Sequence, residues 1–236
     1  MILARAQDFV WNWQHVSQSL PFILKGLKIT VAATMAGMLI ALVLGLVLAM
    51  LRRMPYSGKP AAFCIEFIRS TPLLIQLYFV YYVLPAWGIT MGELLTGIIA
   101  LGIHYSSYTA EVYRAGLDGI AKGQFEACRA LNLSPFRTYK DVIIPQAIPP
   151  VIPALGNYLV AMFKDTPLLS SITVLEMLKQ ATNYSSRYFS ALESYTLVGV
   201  IFLLLSLIAA AVIRCVEAWL ALPTRENLDE SNGRTT

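Results

Sequence analysis

Residues 29–51 read ITVAATMAGMLIALVLGLVLAML, 23 positions without an Asp, Glu, Lys or Arg. As a helix rising about 1.5 Å per residue, this run is about 34 Å long, enough to cross a hydrocarbon core of about 30 Å. Four more uncharged runs follow: 70–92 (23 residues), 94–110 (17), 142–163 (22) and 194–213 (20). Backbone surrounded by lipid must satisfy its own hydrogen bonds, which leaves helices or closed barrels. Barrel strands alternate polar and apolar positions, and these runs do not. The expected fold is therefore all-α, an integral membrane bundle of five core transmembrane helices. The third run is the shortest and carries His104, Tyr105, Ser106 and Ser107, so its neighbours are expected to shelter it.

The whole chain agrees with this solvent. Of its 236 residues 57% are hydrophobic and 14% charged, against about 25% charged in soluble domains. That balance excludes a disordered chain and disfavours a water-soluble enzyme. Cys64, Cys128 and Cys215 are odd in number and far apart, so neither a disulfide framework nor a metal site is expected. The first twenty residues contain Asp8 and two Trp with no continuous apolar run, which does not fit a cleaved signal peptide. Phe9, Trp11 and Trp13 instead suggest an interfacial amphipathic segment over residues 1–24. A transmembrane domain would follow over 25–222, with a loop at about 115–142, and residues 223–236 would form a polar tail.

Basic residues set the expected orientation. Arg52, Arg53 and Lys59 follow the first run; Arg114, Lys122, Arg129, Arg137 and Lys140 lie between the third and fourth; Arg214, Arg225 and Arg234 follow the fifth. Placed inside, these outnumber Arg5, Lys25, Lys28, Lys164, Lys179 and Arg187 outside, with Arg69 left within the membrane. The amino terminus is then outside and the carboxyl terminus cytoplasmic. The basic balance belongs to these membrane flanks, and no nucleic-acid partner is implied.

Within the runs, Ala33, Gly37, Ala41, Gly45 and Ala49 recur every fourth position and form one small-residue face. It suits close packing inside the bundle or against another subunit, the former being favoured. Two segments resemble helix breaks, Arg69-Ser-Thr71-Pro-Leu-Leu and Lys164-Asp165-Thr166-Pro-Leu-Leu. Thr before Pro is a helix-start signature, so each is expected to begin a helix whose positive end faces the polar residues. Broken helices in membranes line cavities and hold substrate ions in transporters. Arg69, Thr71, Gln76, Lys164, Asp165 and Thr166 are thus the candidate substrate path. Arg69 and the helix start at Thr166 would meet a carboxylate, and Asp165 an amino group. The plainer readings are a snorkelling Arg69 paired with Glu66 and an interfacial Lys164–Asp165 pair.

The longest basic loop has its own pattern. Gly123 is placed to start a short helix through Leu131, Asn132 tolerates the left-handed turn that ends it, and Ser134-Pro135 restarts a helix. Small Ala127 and Cys128 sit where close docking would need them. The loop reads as a rigid knob for a partner, or as a solvated amphipathic connector.

This loop resembles the EAA motif of ABC-importer permeases, EAA–x3–G–x9–I–x–L–P. The matching residues here are Glu126, Ala127, Cys128, Asn132, Val142, Ile144 and Pro145. Cys128 replaces the third Ala and Asn132 the Gly, both compatible with docking and with the turn. The segments around Phe67–Gln76, Ala110–Gly116, Ile144–Ala147 and Phe163–Thr166 are similar to the polar amino-acid uptake branch (histidine, glutamine, arginine and opine types), and those at 172–178 and 192–199 resemble ectoine and hydroxyectoine permeases. The resemblance implies a permease subunit whose coupling loop docks on a cytoplasmic ATPase dimer. A second permease subunit, identical or related, and a periplasmic solute-binding protein would complete the machine in a bacterial inner membrane, moving a small polar solute. No GxxxxGK[ST] occurs in the sequence, so ATP and Mg belong to the partner, and no cofactor, catalytic residue or metal is assigned to this chain. The rival readings are an ATPase-independent carrier or channel and a membrane-embedded enzyme. The enzyme is disfavoured because the chain has two His, no HExxH and no GxSxG.

Overall fold

A computed structural model describes residues 11–219. The side chain of Asn12 accepts from the Gln14 N–H at 2.9 Å and starts α1 (Trp13–Arg52), 40 continuous residues or about 60 Å. The helix runs through Pro21 without ending, so residues 13–24 belong to the same rod as the first uncharged run. Asp8, Phe9 and Arg5 at one end, and Arg225 and Arg234 in the tail, lie outside the described residues.

The small-residue stripe explains what α1 packs on. Ala33, Gly37, Ala41, Gly45 and Ala49 are all buried against α4 (Glu93–Asp118). The Thr109 hydroxyl donates to the Ala41 carbonyl at 2.7 Å, a contact that needs the two backbones close. A Cβ on Gly45 would stand 2.9 Å from the Ser106 carbonyl. The stripe is therefore an intramolecular seam.

Between α1 and α4 lies a broken element. Helix α2 (Gly58–Arg69) stops at Ser70, and α3 (Leu73–Tyr78) sets off at 100° to it. The chain widens to a π turn at Phe79–Val83 and tightens to a 3-10 turn at Leu84–Trp87. Gly88, at φ 81°, ends it in a conformation that glycine adopts freely. After α4 come α5 (Lys122–Ala130), α6 (Pro135–Arg137), a π turn at Thr138–Ile143 and α7 (Ile144–Asp165). Helix α7 contains Pro149, Pro150 and Pro153 and tightens into a 3-10 turn at Thr166–Ile172. Helices α8 (Met177–Tyr188) and α9 (Ala191–Trp219) complete the described chain.

Three helical stretches, Trp13–Arg52, Pro135–Ile172 and Ala191–Ala218, are long and apolar enough to cross a membrane, and the bent pair Gly58–Arg69 with Leu73–Trp87 supplies a fourth. Helix α4, expected as a span, has the length but carries buried Ser106, Ser107 and Thr109 instead of a continuous apolar surface. Its neighbours α1, α2 and α7 enclose it. The all-helical membrane bundle stands, while a count of five rests on assigning α4 as an enclosed span.

Leu77, Leu101, Met162, Leu169 and Ile172 make the central core between α1, α3, α4 and α7. A second core joins α1 to α7, α8 and α9 through Ile23, Phe163, Met177, Ala181 and Val198. At that end Glu176 is fully buried and its carboxylate accepts from the N–H groups of Leu178 (2.8 Å) and Lys179 (2.6 Å), capping α8. Gly26 lets this cap approach α1, because a Cβ there would meet the Glu176 carbonyl carbon at 2.7 Å.

Candidate functional site

Two regions concentrate polar chemistry. The first is the loop after α4. Helix α5 ends where Asn132 takes φ 50°, the left-handed residue expected there, and the Leu133 N–H returns to the Cys128 carbonyl at 3.0 Å. Ser134 then caps α6, accepting from the Arg137 N–H at 3.4 Å. Gln146 donates to Gln124 at 3.2 Å, and Phe125 meets Tyr139 edge-on at 6.4 Å, so α5 is held on the chain that leads into α7. Cys128 is buried beneath α5, whereas Gly123, Glu126, Ala127, Ile144 and Pro145 are exposed and Val142 is half-buried. The result is a braced helix–turn–helix whose outer surface is free to meet a partner.

The second region is a polar cluster around the α2–α3 bend. A helix end leaves carbonyls without intrahelical partners, and in a membrane those must be satisfied locally. Gln76 supplies the partners: its Nε2 donates to the Ile68 carbonyl at 2.8 Å, the Thr71 carbonyl at 3.2 Å and the Thr71 hydroxyl at 2.6 Å. Its Oε1 then accepts from His104 Nδ1 at 3.1 Å, which puts the imidazole proton on Nδ1. His104 leads to an aromatic cluster, with Tyr108 at 5.3 Å and Tyr108 to Tyr158 at 5.4 Å. Arg69 lies over the Tyr108 ring at 5.4 Å. Tyr105 donates to Asp165 Oδ2 at 2.7 Å. A guanidinium and a carboxylate thus meet one group of tyrosines.

Several expectations change. Thr71 does not cap α3; its hydroxyl donates back to the Phe67 and Ile68 carbonyls, both at 3.1 Å, and closes α2 instead. No new α-helix begins at Thr166. Its hydroxyl donates to the Phe163 carbonyl at 2.7 Å and is fully buried, and the chain continues as 3-10 turns. Threonine back-bonding to a carbonyl three residues earlier fits a helix that narrows rather than one that starts. No helix N-terminus therefore faces the cluster at Thr166, and exposed Lys164 is not joined to it by any hydrogen bond among the described residues. Arg69, Thr71, Gln76 and Asp165 are brought together; His104 and Tyr105, noted in the sequence only as the polar part of a sheltered run, join them, as do Tyr108 and Tyr158, which sequence reasoning missed. The run HYSSY at 104–108, a polar patch inside an uncharged stretch, was the signal for Tyr108.

Arg69 also has a partner other than Glu66. Its guanidinium lies 4.0 Å from Glu111, which is further paired with Arg52 and with Arg114 at 2.8 Å. Burial raises the Glu111 carboxyl, but hydrogen bonds and charge from Arg114 and Arg52 outweigh it and hold the carboxyl below its ordinary range. Asp118 extends the network, accepting from Arg114 at 2.9 Å and forming an ion pair with Arg53 at 3.2 Å. One end of the bundle thereby ties α1, α2 and α4 together just before the α5 loop.

A polar cluster beside a broken membrane helix, with a braced helix–turn–helix loop near one end, suits a transport permease. Residues 41–221 match the family described as binding-protein-dependent transport system inner membrane component, and the chain belongs to that family. It is 50% identical over 200 residues to the probable amino-acid ABC transporter permease protein y4tG of Sinorhizobium fredii, covering 84% of this chain and 87% of that one. The glutamine transport system permease protein GlnP of Escherichia coli K12 is 30% identical over 88% of this chain and 96% of its own. Among solved structures, an amino acid ABC transporter crystallised with histidines matches with a TM-score of 0.84 at 30% identity, over 89% of this chain and 99% of that one. The MetNI methionine transporter matches in fold, with a TM-score of 0.72 at 18% identity, over 85% of this chain and 97% of that one. The protein is a permease subunit and not an enzyme, and in such importers the ATPase is a separate subunit working with paired permeases.

Proposed function

We propose that this permease passes a zwitterionic amino acid, or an amino-acid-like solute such as ectoine, past the polar cluster around Tyr105 and Tyr108. The observation that carries the reading is the placement of Arg69 over the Tyr108 ring and of Asp165 on the Tyr105 hydroxyl within one tyrosine group. Arg69 suits the solute carboxylate, while Asp165 and the ring faces suit its cationic nitrogen. Gln76 and His104 complete the polar wall. The relatives named for amino-acid uptake support the solute class.

In this reading the amino terminus faces outside, where a periplasmic solute-binding protein delivers the solute. The loop carrying Gly123, Glu126, Ala127, Cys128, Asn132, Val142, Ile144 and Pro145 faces the cytoplasm and docks on an ATPase dimer that uses ATP and Mg. A second permease subunit, identical or related, completes the pathway. The test is uptake by proteoliposomes containing the permeases, ATPase and binding protein. Asp165→Asn removes a charge-assisted interaction, which corresponds to at least about a tenfold loss of zwitterion uptake, with ATPase association unchanged. Unaltered uptake and solute preference in both Asp165→Asn and Arg69→Gln would overturn the assignment. Uptake by the chain alone without ATP would return it to the carrier class.

A further inference from the structure

Two apolar cavities, of about 400 and 530 Å³, follow one another between α1 and α7, the first walled also by α9 and the second by α4. Their α1 wall includes Leu42, Leu46 and Met50, and their α7 wall Ile148, Val151 and Ile152. Both sets follow helical three- and four-residue spacing, so together they form one groove along two antiparallel helices. Leu46, Met50 and Ile148 remain 44%, 53% and 48% exposed, so the groove is open on its outer side. At its end stand Arg53 and Tyr139. Along α1 the cavity beside Arg53 runs from Leu46 to Met54, about 12 Å, which lies within one leaflet of the hydrocarbon core, and the other cavity continues from Leu42 back to Met35.

Charge at the mouth selects the occupant. Asp118 is shared by Arg53 and Arg114, and Glu111 by Arg52, Arg69 and Arg114. Four guanidiniums thus divide two carboxylates, which leaves net positive charge where the groove reaches the interface. Lys140 follows Tyr139 directly. We infer that an anionic phospholipid of the cytoplasmic leaflet occupies this groove, one acyl chain between α1 and α7 and its phosphate against Arg53. Basic pockets between membrane helices on the cytoplasmic side bind acidic headgroups on this principle. The inference rests on the orientation stated under the proposed function. The groove is separate from the tyrosine cluster and shares no lining residue with it.

The experiment is native mass spectrometry of the full chain released from nanodiscs of equimolar phosphatidylglycerol and phosphatidylcholine. One retained phosphatidylglycerol is expected, favoured over phosphatidylcholine about fivefold, as one guanidinium near the surface supplies. Arg53→Gln should bring the ratio to about one and Arg53→Lys should preserve it. Ile148→Trp, which fills the groove, should expel lipid of either kind. Equal retention of both lipids by the unmodified chain, or a preference that survives Arg53→Gln, overturns the proposal. So does a lipid-free pair of chains that Ile148→Trp separates, since a second copy would then cover the groove. A Lys140→Cys chain lacking its native cysteines and labelled from outside intact cells would overturn the orientation, and leave the groove's lipid selectivity to the mass spectrometry.

Discussion

Glu111 and Glu176 are both withdrawn from water, yet their surroundings pull them in opposite directions. Glu111 faces arginines from α1, α2 and α4, and its depressed pKa means that its contribution is present above the ordinary carboxyl range and is lost as pH falls through its folded value. Glu111→Gln leaves three guanidiniums facing one another, an expected loss of about 1–2 kcal/mol, read as a lower thermal midpoint of the full chain in detergent. The same variant should lose the acid-side fall in stability. Glu176 faces no paired cation; burial pushes it up to about 7, against the opposing Leu178 and Lys179 N–H groups and the Lys179 charge. Its contribution is therefore fully present below about 4.5 and lost as pH rises through about 7. Glu176→Gln should flatten the thermal midpoint across that window, and a slope unchanged by the substitution would remove Glu176 as its source. The Glu111–Arg114 pair was legible from spacing along one helix, as were Arg69 and Asp165 as marked charges. The pairing of Arg69 with Glu111 was not, because it depends on how α2 crosses α4.

Elements show how far local signals reach. The tetrapeptide TPLL occurs at 71–74 and 166–169, and the two copies behave differently. At Thr71 the half-exposed α2 ends and the chain turns by 100°. At Thr166 the chain continues in line as 3-10 turns, although the residues that follow each copy, Leu73 and Leu77 in one and Leu169 and Ile172 in the other, are all buried. Local capping chemistry was readable in both copies, but did not decide the outcome. Where a local rule met no competing contact, it held: Asn132 takes the turn conformation its type tolerates. Asn132→Gly should preserve co-purification with the ATPase, whereas Asn132→Val, strained by about 1–2 kcal/mol in that conformation, should weaken it. The α1–α4 seam is as strict. Gly45→Ala forces a Cβ against the Thr109 hydroxyl and to within 2.9 Å of the Ser106 carbonyl. It should cost about 1–3 kcal/mol and free the Thr109 hydroxyl, measurable as a lower thermal midpoint and faster exchange at that site.

Across the whole molecule, the loop at 119–143 joins α4 to α7, the two helices that carry Tyr105, Tyr108, Tyr158 and Asp165. Glu126→Lys with Ala127→Trp should abolish ATPase association while leaving membrane insertion intact, measured by co-purification and by membrane fractionation. Loss of insertion instead would make the loop a folding element. The bundle's class was legible because lipid forces long uncharged helices. The polar cluster was only half legible: the run at 104–108 marked Tyr105 and Tyr108 on α4, but Tyr158 comes from α7 and in isolation looks like ordinary packing. Helix α7 adds a mechanical consequence. Its three internal prolines remove N–H groups from successive turns between the loop and Asp165, whereas α1 is interrupted by one proline in 40 residues. Bending stiffness is therefore lower in α7 than in α1, on the span that links the loop to Tyr158 and Asp165. A displacement of the loop is taken up there as curvature, with α1 serving as the stiff strut against which that curvature is measured.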